Sequence, residues 1–279
     1  MTLAAWQLWL GCWLLVATVM ALLWRVQRRT GNAGIVDVAW SFGTGLVGVA
    51  FCVFGSGLPA RRLLLGALIG VWGFRLGLHL WQRMQREPED GRYTEIRRNT
   101  GEGAGRWLFV FFQVQAVWAL LFATPIFLAA RNTQGDPTAP FGGLGLADAI
   151  GAAIWLLAIG GETIADRQLA AFKLDPESKG RVCRRGLWSW SRHPNYFFEW
   201  LHWFGYVVIG WSGPTGWATL FGPAVMLFFL LKVTGIPPTE RQALRSRGDE
   251  YRRYQQEVSA FFPRPPRAQA VVASGVRDE

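Results

Sequence analysis

The stretch WLFVFFQVQAVWALLFATPIFLAA, from Trp107 to Ala130, contains no charged residue. An α-helix needs about 20 mostly apolar residues to cross the hydrocarbon core of a bilayer. Six further stretches are predominantly apolar: Leu3–Trp24, Ile35–Phe54, Leu63–Leu80, Ala147–Ala165, Tyr196–Trp211 and Trp217–Val233. The sequence therefore predicts an all-α integral membrane protein of about seven transmembrane helices. A six-span alternative stays open, in which the short Tyr196–Trp211 segment is re-entrant.

The composition of the chain points in the same direction. Of the 279 residues, 51% are hydrophobic and only 17% are charged, whereas soluble domains carry roughly 25% charged residues. The 16 Trp and 19 Phe are typical of proteins with many side chains at a membrane interface. The three Cys have no metal-ligand spacing, so we expect neither a disulfide framework nor a metal site.

The basic residues are unequally divided between the two predicted sides of the membrane. Of the 29 Lys and Arg, only Arg61, Arg62 and Arg131 fall in the outer links, and Arg75 lies within the third span. Because Lys and Arg accumulate on the cytoplasmic side, we predict that the N-terminus lies outside and the C-terminus in the cytoplasm. The net charge of +10 then reflects topology, and no nucleic-acid partner is expected.

We expect one membrane domain over residues 1–267, with cytoplasmic loops, and a disordered tail over 268–279. The polar segment Pro237–Tyr254 predicts one or two short cytoplasmic helices. Membrane lipids are expected neighbours, and no obligate protein partner is evident from the sequence. Gly43–Gly48 matches the letters of a dinucleotide-binding fingerprint, but it lies inside an apolar span and not between a strand and a helix. Its small residues instead predict close helix packing.

Ionisable residues within membrane spans are costly and mark candidate functional sites. Asp37 lies in the second span, and Arg75 and His79 lie one turn apart in the third. Asn195 and Glu199 lie one turn apart at the start of the sixth span. As alternatives, Asp37 is solvated at the interface, and Arg75 and His79 extend to it. Their clustering in the cytoplasmic half predicts a pocket that opens to the cytoplasm rather than a transport pathway.

The segment GLWSWSRHPNYFFEW, Gly186–Trp200, follows the basic run KGRVCRR, Lys179–Arg185. Basic residues before a helix N-terminus favour binding of a phosphate or carboxylate, because backbone N–H groups and the helix dipole attract anions there. Arg192 and His193 add positive charge. Trp188 offers a flat face for an adenine or nicotinamide ring, with interface anchoring as the alternative.

This segment, with Gly161–Lys173, Gly235–Glu240 and Tyr251–Pro263, resembles the steroid 5α-reductase family, and most of all its bacterial, functionally unassigned branch. The resemblance covers residues 31 to 266 and is strongest over 162–266. It implies a seven-span enzyme that uses NADPH to reduce a carbon–carbon double bond conjugated to a ketone, in a lipid or steroid-like substrate. It also implies a protein of the bacterial inner membrane whose cofactor site faces the cytoplasm.

The resemblance implies roles for individual residues. Those expected to bind the cofactor are Arg97, Asp166, Lys173, Arg181, Trp188, Arg192, His193, Asn195, Tyr196, Glu199, Tyr251 and Tyr254. The candidates for polarising the substrate ketone are Asp37, Arg75, His79 and Tyr93, with Asp37 acting as an acid if burial keeps it protonated. The steroid enzymes carry a Gln-Glu pair in their second span, whereas the second span here has Asp37 as its carboxylate and no Gln.

Two other functions remain open from the sequence. Arg192–Tyr196 also resembles the Arg-His-Pro-x-Tyr motif of membrane isoprenylcysteine and phospholipid methyltransferases, which use S-adenosylmethionine. A non-catalytic lipid-binding or transport protein is the third alternative. Asp166, the pair of Asn195 and Glu199, and Tyr254 favour the reductase.

Overall fold

The computed structural model describes residues 4–135, 138 and 140–266, which form helices joined by turns and contain no β-strand. The nine α-helices of this part of the chain are α1 (Ala5–Thr30), α2 (Ile35–Val53), α3 (Pro59–Arg86), α4 (Gly91–Thr100), α5 (Ala104–Ala129), α6 (Leu146–Leu174), α7 (Pro194–Gly210), α8 (Phe221–Phe228) and α9 (Ile236–Glu257). The predicted tail, 268–279, lies outside the described residues.

Within the described residues, six helices or continuous helical runs are long and apolar enough to cross a membrane. They are α1, α2, α3, the run Gly91–Ala129, α6 and the run Gly216–Glu257. In the two long runs, α4 and α9 are polar and lie outside the predicted spans Trp107–Ala130 and Trp217–Val233. Helix α7 has 17 residues and is not among these six candidate spans. The all-α membrane fold is confirmed, with six candidate spans where the sequence predicted seven.

Local sequence signals explain several helix ends. Helix α1 ends at Thr30 and is followed by Gly31, whose φ of 74° is left-handed, as is common for glycine after a helix. The N–H of Gly31 donates a hydrogen bond to the carbonyl oxygen of Gln27. The side chain of Asp90 accepts a hydrogen bond from the N–H of Arg92 and caps α4. Proline is the first residue of α3 and of α7, a position where its missing N–H costs nothing.

The chain forms two compact units. Unit 1 comprises Met1–Leu157 and Trp200–Phe228, and unit 2 comprises Ala158–Glu199 and Phe229–Glu279. In unit 1, α2 packs along α3, and α5 packs against α1 and α2. Unit 1 therefore holds the second and third predicted spans, with Asp37, Arg75 and His79. Unit 2 holds the segments that carry the strongest family resemblance.

Glycines bring α2 and α3 into backbone contact. A Cβ added to Gly73 would lie 2.8 Å from the Cα of Gly45 and 2.9 Å from the carbonyl oxygen of Ser41. About one turn further along both helices, a Cβ added to Gly48 would lie 2.7 Å from the side chain of Ile69. The close packing predicted for the small residues of Gly43–Gly48 is confirmed, and it explains the fingerprint-like spacing without a nucleotide.

A buried ion pair joins α3 to α6 within unit 1. Arg61 Nε and Nη2 lie 2.7 and 2.8 Å from the two carboxylate oxygens of Asp148. Arg61 is 4% exposed and Asp148 is 1% exposed. Arg61 also donates to the carbonyl oxygen of Gln134 at 2.8 Å, and the N–H of Gly145 donates to Asp148. Arg61, one of the few basic residues on the predicted outer side, is thus buried and hydrogen-bonded within the fold.

In unit 2, α9 packs its apolar face against the loop that follows α6. The buried cluster consists of Val182, Ala243, Tyr251, Tyr254 and Val258. The helix is interrupted at Gly248, whose φ of 52° and ψ of −123° are not helical. The predicted short helices over 237–254 are confirmed, as the two halves of α9.

Candidate functional site

Two of the predicted cofactor residues meet in unit 2, where the N-terminus of α7 contacts α6. Asn195 Nδ2 donates a hydrogen bond to Asp166 Oδ1 at 3.2 Å. The oxygen of the same amide accepts a hydrogen bond from the N–H of Tyr196 at 3.0 Å. These two bonds fix which way the Asn195 carboxamide points. The two residues are 29 positions apart and belong to two different motifs.

The loop before α7 is fastened to α9 through Glu240. Its Oε1 accepts from Arg192 Nε at 2.7 Å and lies 3.2 Å from His193 Nε2. Its Oε2 accepts from Gln255 Nε2 at 2.8 Å. The ring of Tyr196 stacks on His193, with centroids 5.2 Å apart and an interplanar angle of 9°. Arg192 and His193, both predicted to face a cofactor, therefore also hold the loop against α9.

The charges of this network are set by burial and by its hydrogen bonds. Burial opposes ionisation of Glu240, but the bonds from His193 and Arg192, with the charge of Arg192, outweigh it and lower the pKa of Glu240 to about 2. Burial lowers the pKa of His193, against the opposing effect of Glu240. His193 is thus neutral at pH 7 and needs its hydrogen on Nε2 to bond with Glu240.

Tyr254 closes the inner side of the same loop. Its hydroxyl donates to the carbonyl oxygen of Trp188 and lies 3.3 Å from that of Ser191. Trp188 is 8% exposed, and its Nε1 donates to the carbonyl oxygen of Ala165 at 2.9 Å. Burial raises the pKa of Tyr254, so its hydroxyl stays protonated and able to donate. The indole of Trp188 is therefore packed into unit 2 and does not present an open face to a ring.

Tyr251 lies one turn before Tyr254, with ring centroids 5.8 Å apart. Burial raises the pKa of Tyr251, and the charge of Glu240 adds to the effect. Both tyrosines are buried, so this part of α9 packs against the loop that precedes α7. Glu199 is also buried, at 8% exposure.

The basic residues of unit 2 differ in their exposure to solvent. Arg184 forms an ion pair with Glu257, and its guanidinium lies 5.2 Å from the ring centroid of Tyr254. Lys173 and Arg181 are exposed. Exposed lysine and arginine are suited to contact phosphate groups of a ligand that arrives from water.

A cavity of about 380 Å³ lies in unit 2 beside Arg192. Its lining includes the segment 255–260, Arg264 and Pro265. The Nη1 of Arg192 donates to the carbonyl oxygens of Gln255, at 3.1 Å, and Val258. The guanidinium is therefore held by three protein acceptors at the edge of the cavity.

In unit 1, the structure brings Asp37 and Tyr93 together. The hydroxyl of Tyr93 donates to Asp37 Oδ1 at 2.8 Å, and Arg92 Nη2 donates to Asp37 Oδ2 at 3.1 Å. Asp90 also contacts Arg92, through bonds of 3.0 Å to its Nε and backbone N–H. Burial raises the pKa of Tyr93, and the charge of Asp37 raises it further. Both carboxylate oxygens of Asp37 therefore act as hydrogen-bond acceptors.

The remaining predicted residues of unit 1 are Arg97, Arg75 and His79. Arg97 Nη2 lies within 3.2 Å of acceptors on Gln27, Gly31 and Glu89. It thereby joins α4 to the end of α1. Arg75 is half-buried in α3, whereas His79 is exposed.

Sequence reasoning missed three residues that organise these groups. Glu240 and Arg92 lie in or beside motifs that were singled out, but their partners are 48 and 55 residues away. Gln168 lies in α6, and its Oε1 accepts from the N–H of Leu187 at 2.9 Å. In the sequence, Arg92 could have been found because it precedes Tyr93, a candidate residue. Gln168 could have been found because it lies within the Gly161–Lys173 motif of α6.

Comparison with known proteins gives a family without an assigned activity. Residues 23–258 match the family described as "Protein of unknown function (DUF1295)". The chain is also 26% identical over 278 residues to "Uncharacterized protein C594.04c" of Schizosaccharomyces pombe, covering 87% of this chain and 76% of that protein. No solved structure matches the chain.

Proposed function

The chain belongs to the family described as protein of unknown function (DUF1295), and from this premise we propose that it is a membrane-embedded, NADPH-dependent reductase. Its substrate is an apolar or steroid-like lipid with a carbon–carbon double bond conjugated to a carbonyl. The resemblance of its motifs to the steroid 5α-reductase family supports this proposal. The observation that carries the proposal is the hydrogen bond between Asp166 and Asn195, because it joins two motif residues that are expected to bind the cofactor.

The residues of unit 2 fit a dinucleotide in two respects. The carboxamide of Asn195 is fixed by Asp166 and by the N–H of Tyr196, and a fixed amide is suited to pair with the carboxamide of a nicotinamide. Lys173 and Arg181 are exposed basic residues that suit the phosphates. Trp188 fits less well as a stacking residue, since its indole is buried and bonded to Ala165.

The residues of unit 1 supply the polar groups for the carbonyl. A bound nicotinamide supplies the hydride for the β-carbon of the double bond, and a proton completes the reduction at the α-carbon. Negative charge develops on the carbonyl oxygen and has to be stabilised. Asp37 accepts from both Tyr93 and Arg92; we therefore assign it to orienting these two side chains. Tyr93 and Arg75 are the candidate groups that face the developing charge.

Ligand-dependent stability tests the cofactor without knowledge of the substrate. We expect NADPH to raise the unfolding temperature of the full chain in detergent. At a concentration of 100 times its Kd, it should increase the free energy of unfolding by about 2.7 kcal/mol. S-adenosylmethionine should have no effect. Stabilisation by S-adenosylmethionine instead would indicate a methyltransferase, and stabilisation by neither would favour a lipid-binding or transport protein. Either result contradicts the reductase.

Variants show whether the ligand acts through the proposed residues. Asn195→Ala and Glu199→Ala should abolish the NADPH-dependent shift, and Lys173→Ala should reduce it. Arg252→Ala is the matched control, because Arg252 is a basic residue of unit 2 that is 69% exposed at its side chain and pairs only with the exposed Asp249 among the described ion pairs. Normal NADPH binding by both the Asn195 and the Glu199 variants would contradict the assignment.

We also propose that the site faces the cytoplasm of a bacterial inner membrane. The support is the distribution of Lys and Arg, which leaves Arg61, Arg62 and Arg131 in the predicted outer links. A reporter that is active only in the cytoplasm should therefore be active when it is fused to the C-terminus. It should be inactive when it is fused within the link between α5 and α6. The opposite pattern of reporter activity would show that the chain has the inverted orientation and would contradict this proposal.

A further inference from the structure

The cavity of about 380 Å³ in unit 2 is not used by the proposed function. It is lined by Arg192, by the last residues of α9 and by the segment that follows α9. Two backbone hydrogen bonds hold that segment beside the loop before α7. The N–H of Arg192 donates to the carbonyl oxygen of Ser259 at 2.8 Å, and the N–H of Arg264 donates to that of Trp190 at 2.9 Å. The walls of the cavity are therefore fixed to one another.

Several hydrogen-bond donors of the lining have no acceptor among the residues that the structure describes. They are the backbone N–H groups of Ser259 and Ala260, the hydroxyl of Ser259, the carboxamide of Gln256 and the guanidinium of Arg264. Ser259 and Ala260 are half-buried, whereas Arg264 is exposed. Successive backbone N–H groups beside a basic side chain are a recurrent arrangement for binding anions.

The charges around the cavity also favour an anion. The acidic residue of the lining, Glu257, forms an ion pair with Arg184. The charge of Arg192 is balanced in turn by Glu240. The guanidinium of Arg264 forms no ion pair within the described part of the chain. The cavity is thus left with one uncompensated positive charge and with unused donors, which are the groups that phosphate oxygens require.

The segment that carries these donors also exposes aromatic side chains. Trp190 is 48% exposed and Phe262 is 45% exposed. The ring of Phe262 lies 6.1 Å from that of Phe197 in α7, measured between centroids. Trp190 lies four residues before α7, an apolar helix. Exposed tryptophan next to an apolar helix is typical of the level of the lipid headgroups.

We propose that this cavity binds the headgroup phosphate of an anionic phospholipid. Arg264 pairs with the phosphate, and the N–H groups of Ser259 and Ala260 donate to its oxygens. The acyl chains lie along Trp190 and Phe262, which accounts for the exposure of these rings as a soluble phosphate does not. Basic segments next to a membrane attract anionic lipids, so the position and the charge of the cavity favour the same ligand.

The lipid site is separate from the proposed cofactor site. Of the residues expected to bind the cofactor, the cavity lining includes one, Arg192. Its Nε and Nη1 already donate to Glu240, Gln255 and Val258. Arg192 therefore supports the wall of the cavity, and Arg264 is the side chain that is available to the lipid. The inference goes beyond the proposed function and does not depend on it.

The test compares two lipids with the same acyl chains. The full chain in detergent is offered an equimolar mixture of dioleoyl phosphatidylglycerol and dioleoyl phosphatidylcholine, and bound lipid is counted by native mass spectrometry. Phosphatidylglycerol is anionic, whereas phosphatidylcholine carries a quaternary ammonium that neutralises its phosphate. Because hydrogen bonds to a charged group are strong, we expect phosphatidylglycerol to be retained about tenfold over phosphatidylcholine. Equal retention of the two lipids would overturn the proposal.

Two variants identify the groups that bind the lipid. Arg264→Gln removes the charge and should reduce the preference for phosphatidylglycerol about tenfold, whereas Ser259→Ala should reduce it roughly threefold. Arg253→Gln and Ser246→Ala are the controls. Arg253 is an exposed arginine of α9 outside the lining, and the hydroxyl of Ser246 donates to the carbonyl oxygen of Gln242. Equal losses in Arg264→Gln and Arg253→Gln would indicate a diffuse attraction to basic residues and would overturn the proposal.

Two soluble ligands distinguish the source of the phosphate. Inorganic phosphate, compared with chloride at equal ionic strength, should leave the unfolding temperature unchanged. Stabilisation of the wild-type chain but not of Arg264→Gln by inorganic phosphate, without a preference between the lipids, would overturn the lipid as the ligand. NADPH should stabilise Arg264→Gln as much as wild type. Loss of that stabilisation together with the lipid preference would place the cavity in the cofactor site and overturn the proposal. Failure of NADPH to stabilise the wild-type chain would contradict the proposed function alone.

Discussion

Arg192 and Glu240 form an ion pair of 2.7 Å between the loop before α7 and helix α9. Their side chains are 10% and 15% exposed, so solvent screens the pair only weakly. His193 and Gln255 bind the same carboxylate, which therefore has a partner on both oxygens. Glu240 of α9 thus holds two residues of the proposed cofactor loop, Arg192 and His193.

We predict that Glu240→Gln destabilises the protein by roughly 1.5–3 kcal/mol, the usual worth of a hydrogen bond to a charged group. The substitution leaves Arg192 buried without its counter-ion. Thermal unfolding of the purified chain measures the effect. The control is Asp249→Asn, because Asp249 pairs with Arg252 at 84% side-chain exposure and should change the midpoint very little. Equal midpoints for the two variants would show that the Glu240 network does not support the fold.

The same network predicts acid sensitivity in two steps. Burial lowers the pKa of His193 below the ordinary 6.5, so its neutral form stabilises the fold above pH 6.5 and this contribution is lost as the pH falls through the lowered pKa. Glu240 has a pKa of about 2 in place of 4.5. Its contribution is complete above pH 4.5 and is lost as the pH falls towards 2.

Unfolding midpoints measured from pH 7.5 down to pH 3.5 test both steps. His193→Gln should flatten the dependence just below pH 6.5, and Glu240→Gln should flatten it below pH 4.5. The wild-type chain should lose stability in both windows. A wild-type midpoint that rises between pH 6.5 and pH 5 would contradict the lowered pKa of His193.

Local patterns in the sequence were sufficient to predict most of the helices. Uninterrupted apolar runs predicted the membrane segments. Pro194 is the first residue of α7, a position at which proline is favoured. The glycines of α2 predicted its close contact with α3. These signals are local, since each depends on a residue and its immediate neighbours along one helix.

The partners of the site residues could not be predicted in the same way. Asp37, one of the candidates for polarising a carbonyl, accepts hydrogen bonds from Tyr93 and Arg92, which lie 56 and 55 residues later. The spacing of residues within one helix contains no information about such distant partners. The sequence predicted α7 as a short apolar segment, Tyr196–Trp211, and the helix is indeed short, with 17 residues from Pro194 to Gly210.

The buried pair of Arg61 and Asp148 gives a third prediction. Arg61→Met leaves the carboxylate of Asp148 buried without its cation, and breaking a buried pair in this way costs about 3–5 kcal/mol. Arg83→Met is the control, because Arg83 and Glu87 are 48% and 38% exposed at their side chains. The double substitution Arg61→Met/Asp148→Leu removes both charges and should recover most of the lost stability. No recovery would mean that the hydrogen bonds to Gln134 and Gly145 matter more than the charge pair.

The contact between Gly45 and Gly73 gives a fourth prediction. Gly73→Ala places a Cβ 2.8 Å from the Cα of Gly45 and 2.9 Å from the carbonyl oxygen of Ser41. Both atoms belong to the backbone, so no side-chain rotation relieves the clash, and α2 and α3 have to separate. Overpacking of this kind costs about 1–3 kcal/mol. Separation also weakens the dispersion contacts that hold membrane helices together.

Gly11→Ala is the control for this clash, because Gly11 lies in the apolar helix α1 and a Cβ there meets nothing within 4 Å. Alanine has the higher helix propensity, so Gly11→Ala should leave the stability unchanged or raise it by up to about 1 kcal/mol. The two substitutions add the same methyl group to the same kind of helix. A lower unfolding temperature for Gly73→Ala alone therefore assigns the loss to the α2–α3 contact, whereas equal temperatures would show that the two helices are not packed backbone to backbone.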